Sequence, residues 1–135
     1  MGTKRVFALV MCALVVVFPI FGGVASAHHS GAHYGNVEKT LKGTVVEFKW
    51  RNPHVFIVWE VKDDRGKAVQ WIGELASVTS SIADGMTKDS LKPGDQIIVS
   101  AFPTKAGTPE SLIKKIVKAD GTPIVERNVT FLRER

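Results

Sequence analysis

Four histidines, all between residues 28 and 54, are the side chains whose placement could do chemistry. If a leader segment is removed after Ala27, His28 becomes the first residue. Its free α-amine and its imidazole can then chelate one metal ion in a six-membered ring. A second imidazole would complete a roughly T-shaped set of three nitrogens, which suits the tetragonal preference of Cu(II) and tolerates Cu(I). The placement therefore predicts a copper site.

His54 is the best candidate for the second imidazole, because Asn52-Pro53 places it at the start of a strand, where the backbone can aim the ring. His29 is less suitable, since adjacent residues of an extended chain point to opposite sides. His33 could serve if the segment folds back. Such a set resembles the histidine brace of copper proteins.

Two carboxylates are outer candidates for the same site. Glu60 shares the strand face of His54, and Glu74 lies on the neighbouring strand. Other interpretations stay open. Exposed histidines near an N-terminus bind transition metals weakly in most proteins, and an isolated His54 could hydrogen-bond a loop. Cleavage after Ala25 would instead place His28 third, a position that also binds Cu(II) but with a different geometry.

The first 27 residues are typical of a secretory signal peptide. Lys4 and Arg5 precede a long apolar run that ends in Ala25-Ser26-Ala27, a small-x-small cleavage site. An uncleaved membrane anchor is the alternative. Pro19 favours cleavage because it breaks a helix near the end of the run. We expect export to the periplasm, with no membrane attachment after cleavage.

Removing 27 of the 135 residues leaves 108, enough for one domain, with 16 basic residues against 13 acidic. A net charge of +3 is too small and too scattered to indicate nucleic-acid binding. The only cysteine, Cys12, lies in the leader, so thiol, disulfide and thiolate-metal chemistry are excluded from the mature chain. Phosphate-binding and nucleophile-elbow motifs are absent, which argues against a hydrolase or a nucleotide-binding enzyme.

The hydrophobic pattern predicts an all-β domain with one short helix. A slip at Val45-Val46 indicates a β-bulge in a long, bent first strand. It brings Val46, Phe48 and Trp50 to the same side as Leu41, Gly43 and Val45. The order β-β-β-α-β-β is that of the OB-fold, a five-stranded Greek-key barrel. Another small β-sandwich or open barrel is the alternative. The elements are expected at about 40–50, 55–61, 69–75, 78–83 (the helix), 96–102 and 112–118.

The predicted organisation is a signal peptide at 1–27, a histidine-rich segment at 28–39, the barrel at 40–121 and a tail at 122–135. Trp59 and Trp71 alternate in phase with aliphatic residues, so we expect them in the core. Trp50 is the one aromatic residue that could lie on an open barrel face and bind a ligand.

Five short motifs carry a family resemblance. They are Ala27-His28-His29-Ser30, Leu41-Lys42-Gly43-Thr44-Val45, Asn52-Pro53-His54-Val55, Trp71 with Glu74-Leu75, and Asp89-Ser90-Leu91-Lys92-Pro93-Gly94-Asp95. Over residues 28–121 the chain resembles a family of small exported bacterial proteins of unknown function. The resemblance implies a periplasmic OB-like barrel and associates the His-His start with the Asn-Pro-His strand, but it supplies no activity.

The sequence thus predicts a periplasmic copper carrier or buffer that uses His28 and His54, with His29, His33 or Glu74 as auxiliaries, and that exchanges metal with a protein partner. The alternative is an OB-fold module that binds a periplasmic polymer or protein through Trp50 without metal. A copper-dependent oxidative enzyme would also need an open coordination position and a substrate groove, which the sequence does not indicate.

Overall fold

The computed structural model describes residues 30–129, which form six strands and two short helices. In chain order these are α1 (Ser30–His33), β1 (Lys39–Lys49), β2 (Phe56–Lys62), β3 (Ala68–Glu74), α2 (Val78–Ala83), β4 (Gln96–Pro103), β5 (Glu110–Lys118) and β6 (Pro123–Glu126). No helix within this described part of the chain is long and apolar enough to cross a membrane.

Five of the strands close into a barrel. The long β1 pairs with β4 through its first half and with β2 through its second half, and β2 and β3 form an antiparallel hairpin. β4 pairs with β5, and a short parallel pairing between β3 and β5 closes the ring. This confirms the predicted all-β, OB-fold-like barrel with α2 between β3 and β4.

The bend that lets β1 serve two neighbours is a β-bulge. Val45 pairs with Trp59 and Glu47 with Val58, so Val46 is the extra residue. Phe48 pairs with Ile57 and packs against the core, as predicted. The prediction for Val46 was wrong: it is 40% exposed, because the inserted residue of a bulge leaves the strand alternation.

Helix α2 occupies the predicted residues and is capped by Ser77, whose Oγ accepts a hydrogen bond from the Ser80 amide at 3.2 Å. The Asn52 side chain adds a second contact, because its Oδ1 accepts from the Val78 amide at 3.1 Å. The loop between β1 and β2 is therefore held against the start of α2, and this loop carries the Asn-Pro-His segment.

Two features extend the predicted fold. Strand β6 pairs with the second half of β5, within the segment expected to be a C-terminal tail. Helix α1 is a single turn within the predicted histidine-rich segment. Both lie outside the five barrel strands, where the hydrophobic alternation is too short to be recognised from sequence.

Trp59 is fully buried and spans the barrel interior between two glycines. A Cβ atom at Gly43 on β1 would lie 2.8 Å from Trp59 Cδ1 and would clash with the Glu60 carbonyl oxygen. A Cβ atom at Gly73 on β3 would lie 2.9 Å from Trp59 Cζ3. The barrel thus accommodates the indole only because both neighbouring strands lack a side chain at these positions.

We expect Gly43→Ala to lower the free energy of unfolding by about 1–3 kcal/mol, because the new methyl group overpacks a site lined by rigid backbone. Urea denaturation followed by tryptophan fluorescence measures the change. Lys42→Ala, at the exposed neighbouring position, is the matched control and should lie close to the wild type. Equal stability of the two variants would contradict this account of the core.

Candidate functional site

The buried carboxylate of Glu74 joins two other side chains at the end of β3. The Tyr34 hydroxyl donates to Glu74 Oε2 at 2.6 Å, and His54 Nδ1 lies 2.7 Å from Glu74 Oε1. Both carboxylate oxygens are therefore engaged. The result is a polar chain, Tyr34–Glu74–His54, that links three separate parts of the sequence.

Sheet register places Glu74 where the barrel closes. It pairs with Phe56 on β2 and with Leu112 on β5, so it belongs to the shared end of three strands. His54 lies two residues before Phe56, in the loop that leads into β2. The structure therefore brings His54 and Glu74 into contact, while their role in a metal site stays a prediction.

Tyr34 is held from several sides. Its ring is buried in a small apolar cluster with Phe102, Leu112 and Val129 on the outer surface of the barrel. The neighbouring backbone is fixed as well, because the Gly35 amide donates to the Pro103 carbonyl at 2.8 Å. The segment that follows the His28-His29 pair is thus attached firmly to the barrel beside Glu74.

Burial and negative charge act on the Tyr34 phenol in the same direction. Burial raises its pKa, and the hydrogen bond to Glu74 and the charges of Glu74 and Glu110 raise it further. The phenol therefore remains a neutral donor to Glu74 across the physiological pH range.

Arg127 supplies positive charge near the Glu74 carboxylate. Its Nη1 donates to the Ile113 carbonyl at 3.2 Å, and its Nε lies 3.6 Å from Asp84 Oδ2. Burial lowers the pKa of the guanidinium, while the charges of Asp84 and Glu74 oppose that change. Since arginine stays charged even then, it helps to compensate the buried Glu74 carboxylate.

His54 presents one nitrogen to solvent. Its side chain is 39% exposed, Nδ1 faces Glu74, and Nε2 has no hydrogen-bond partner among residues 30–129. With Nδ1 against the carboxylate, the tautomer that carries its proton on Nδ1 leaves the Nε2 lone pair free for a metal. This is the arrangement in which histidine binds metals in proteins.

The other predicted ligands are distributed differently. His33 has a 57% exposed side chain, and its Nε2 lies 3.7 Å from Glu110 Oε2. Glu60 pairs with Gln70, four residues along β2 from Phe56, so it lies about 13 Å from the position of Glu74. Glu60 therefore does not join the site.

His28 and His29 lie outside the described residues, so their positions stay predictions. Within residues 30–129 there is no group of three or more His, Cys, Asp or Glu side chains placed to hold a metal ion. His54 and Glu74 are brought together, but His33 does not join them in such a group. A complete metal site at His54 would therefore require ligands from outside residues 30–129.

The tryptophans contribute mainly to packing. Trp59 is fully buried and Trp71 packs against the core 6.2 Å from it, which confirms the prediction for both. Trp50 is half-buried against the same core, with its ring 5.7 Å from that of Phe48. Binding of a ligand through Trp50 stays a prediction.

Tyr34 and Arg127 are the site residues that sequence reasoning missed. Tyr34 is the only tyrosine of the chain and closely follows the histidine-rich segment, which is the one signal that could have drawn attention to it. Arg127 lies in the segment expected to be a tail, where no local pattern indicates burial.

An OB-fold-like barrel with a His–Glu–Tyr cluster at its closure is the class that these observations define. The chain belongs to the family of unknown function DUF6152, which matches residues 17–113. That span includes both the His28-His29 pair and the Asn-Pro-His segment. No curated protein matches the chain in sequence.

A crystal structure of the mitochondrial single-stranded DNA-binding protein Rim1 from S. cerevisiae is similar to this chain. The two share 10% identity with a TM-score of 0.48, and the match covers 68% of this chain and 97% of Rim1. The expected absence of nucleic-acid binding here stays a prediction.

The single tyrosine makes the site directly observable. We expect tyrosinate absorbance to appear well above pH 10 in the native protein and near pH 10 in urea, because folding raises the Tyr34 pKa. The native state then holds the proton more tightly than the unfolded state. The stability contributed by Tyr34 is fully present below about pH 10 and is lost as the pH rises through the folded pKa. Identical native and denatured titrations would contradict the Tyr34–Glu74 contact.

Proposed function

We propose that the exported domain binds copper in the periplasm as a carrier or buffer, with the amine and ring of His28 and the Nε2 of His54 as its ligands. The observation that carries the proposal is the polar chain Tyr34–Glu74–His54. It orients one imidazole and attaches the histidine-rich segment beside it.

The carboxylate contact gives Glu74 a positioning role. A histidine that binds a metal usually donates its other ring N–H to a carboxylate, which fixes the ring and raises its basicity. Both oxygens of Glu74 are already engaged, Oε2 by the hydrogen bond from Tyr34 and Oε1 by His54 Nδ1 at 2.7 Å. Glu74 therefore supports the ligand His54 and is not itself a copper ligand in this proposal.

Chain length allows the two halves of the site to meet. His28 precedes Tyr34 by six residues, which span at most about 20 Å when extended. Tyr34 and His54 contact the same carboxylate group, so the anchored end of this segment lies only a few side-chain lengths from the His54 ring. The N-terminal amine can reach His54 without any change in the barrel.

Carriage or buffering fits the surroundings of His54 better than catalysis. The ring is exposed to solvent on the outer surface of the barrel, where a partner can approach the metal directly. Exchange of the ion with a protein partner is the corresponding activity.

We expect His28→Ala and His54→Ala each to weaken Cu(II) binding sharply, by at least about tenfold, because each removes a nitrogen from a three-nitrogen site. Competition titration with a chromophoric chelator measures the affinity. His33→Ala is the matched control, since it removes an exposed histidine paired only with Glu110, and it should change the affinity little.

The first residue of the purified protein must also be determined, because the proposed site includes the amine of His28. Native intact mass of the periplasmic protein should show a chain that begins at His28 and retains one copper ion. Equal copper affinity in all three histidine variants would contradict the proposal. It would also be contradicted if the native protein released copper as readily as the denatured protein does.

Glu74→Gln tests the positioning role separately. The amide keeps the size of the side chain but removes the negative charge that makes the His54 imidazole a stronger metal ligand. We therefore expect copper affinity to fall by about 10–100-fold. Glu110→Gln changes the carboxylate beside His33 in the same way and should leave the affinity unchanged. If both variants bind copper like the wild type, Glu74 has no role in the site.

A further inference from the structure

The barrel is open at the end of β3 that lies away from Glu74. All seven residues of β3 pair with β2, but only Ile72 to Glu74 pair with β5. The first part of the strand, from Ala68 to Trp71, consequently has one edge without a neighbouring strand among residues 30–129. Unpaired strand edges are templates on which another chain can add.

Pro109 lies where the β3–β5 pairing stops, and the chain turns there because the Glu110 amide donates back to the Thr108 carbonyl at 2.8 Å. The Ile72 amide donates to the Pro109 carbonyl at 2.9 Å, at the last step of the parallel ladder. If the ladder continued by two residues, the Gln70 carbonyl would accept a hydrogen bond from the amide of residue 109. Proline has no N–H, so that bond cannot form.

The backbone of Gln70 points toward this open edge. At the hairpin end the Asp63 amide donates to the Lys67 carbonyl, so residues 63 and 67 are a hydrogen-bonded pair. In an antiparallel ladder such pairs alternate, so Val69 and Trp71 bond to β2 while the N–H and C=O of Gln70 face away from it. Gln70 thus offers one donor and one acceptor spaced as in a strand.

A cleft lies along the same edge. Two neighbouring cavities of about 320 and 380 Å³ share Trp71 and Gly107 as lining residues. Leu41, Val69 and Pro109 give the larger cavity apolar walls, and Trp71 separates it from the smaller one. This space is where a further strand and its side chains would lie.

We propose that an extended peptide segment of a partner protein adds as a strand to the open edge of β3 and places an apolar side chain in the cleft beside Trp71. The Gln70 N–H and C=O supply backbone hydrogen bonds, and the cleft supplies side-chain preference, which is how strand addition binds peptides. A backbone donor and acceptor side by side favour a peptide over a sugar or a lipid.

This site is independent of the proposed copper site. Gln70 and Glu74 are four residues apart on β3, a distance of about 13 Å, and the larger cavity has none of Tyr34, His54 and Glu74 among its lining residues. Failure of either proposal leaves the other unaffected.

A random linear peptide library displayed on phage is the probe, screened against the full protein purified after export. Enriched peptides are then synthesised and their affinities measured by calorimetry. We expect Gln70→Pro to weaken binding by about tenfold, because it removes the edge N–H while leaving the bonds to β2 intact. Gln70→Ala, which keeps the backbone and removes only the exposed side chain, should bind like the wild type.

Pro109→Ala provides a second variant that does not depend on the fold tolerating a proline at residue 70. It restores an amide at position 109, which can then bond to the Gln70 carbonyl and occupy the edge, so peptide affinity should again fall by about tenfold. Thermal unfolding of each variant checks that the barrel is intact.

Three results would overturn the proposal. They are a screen that enriches no peptide, peptides that bind both Gln70→Pro and Pro109→Ala as tightly as the wild type, and a dimer in sedimentation velocity that Gln70→Pro dissociates while no peptide binds. The last result would assign the edge to a second copy of this chain.

Discussion

The buried carboxylate of Glu74 is the constraint on which the arrangement around the barrel closure depends. A carboxylate removed from water is costly unless it is hydrogen-bonded and its charge is compensated. Tyr34 and His54 supply the two contacts, and Arg127 contributes the nearby positive charge. Because each partner comes from a different part of the chain, satisfying one buried group brings the N-terminal segment, the β1–β2 loop and the C-terminal region together.

Strand β3 organises the molecule because its two ends differ. At its C-terminal end the strand has neighbours on both sides, and Glu74 holds the elements that surround it. At its N-terminal end the pairing with β5 stops at Pro109, and the backbone of Gln70 is left at an open edge. Between them Gly73 lets Trp59 fill the barrel. One strand therefore carries a polar cluster, the packed centre and an unpaired edge within seven residues.

The copper hypothesis has two parts. One ligand, His54, is positioned by the barrel, and the other, His28, depends on removal of the signal peptide. His54 is oriented by Glu74 whatever happens at the N-terminus. In the proposed function, the amine of His28 forms only on cleavage after Ala27, so export and metal binding would be coupled, because an amide nitrogen of an uncleaved chain is a poor ligand. A protein built in this way acquires its full ligand set only in the compartment where it would use it.

The sequence by itself determined the fold class. Strand alternation, the Val45-Val46 slip and the Ser77 cap are local signals that do not depend on which elements pack beside them. It also indicated His54 and Glu74 as possible neighbours. Tertiary structure alone decided that Tyr34 contacts Glu74 across 40 residues and that the Arg127 charge lies near the same carboxylate. The open edge at Gln70 is likewise invisible in the sequence, because whether a proline ends a ladder depends on which strand lies beside it.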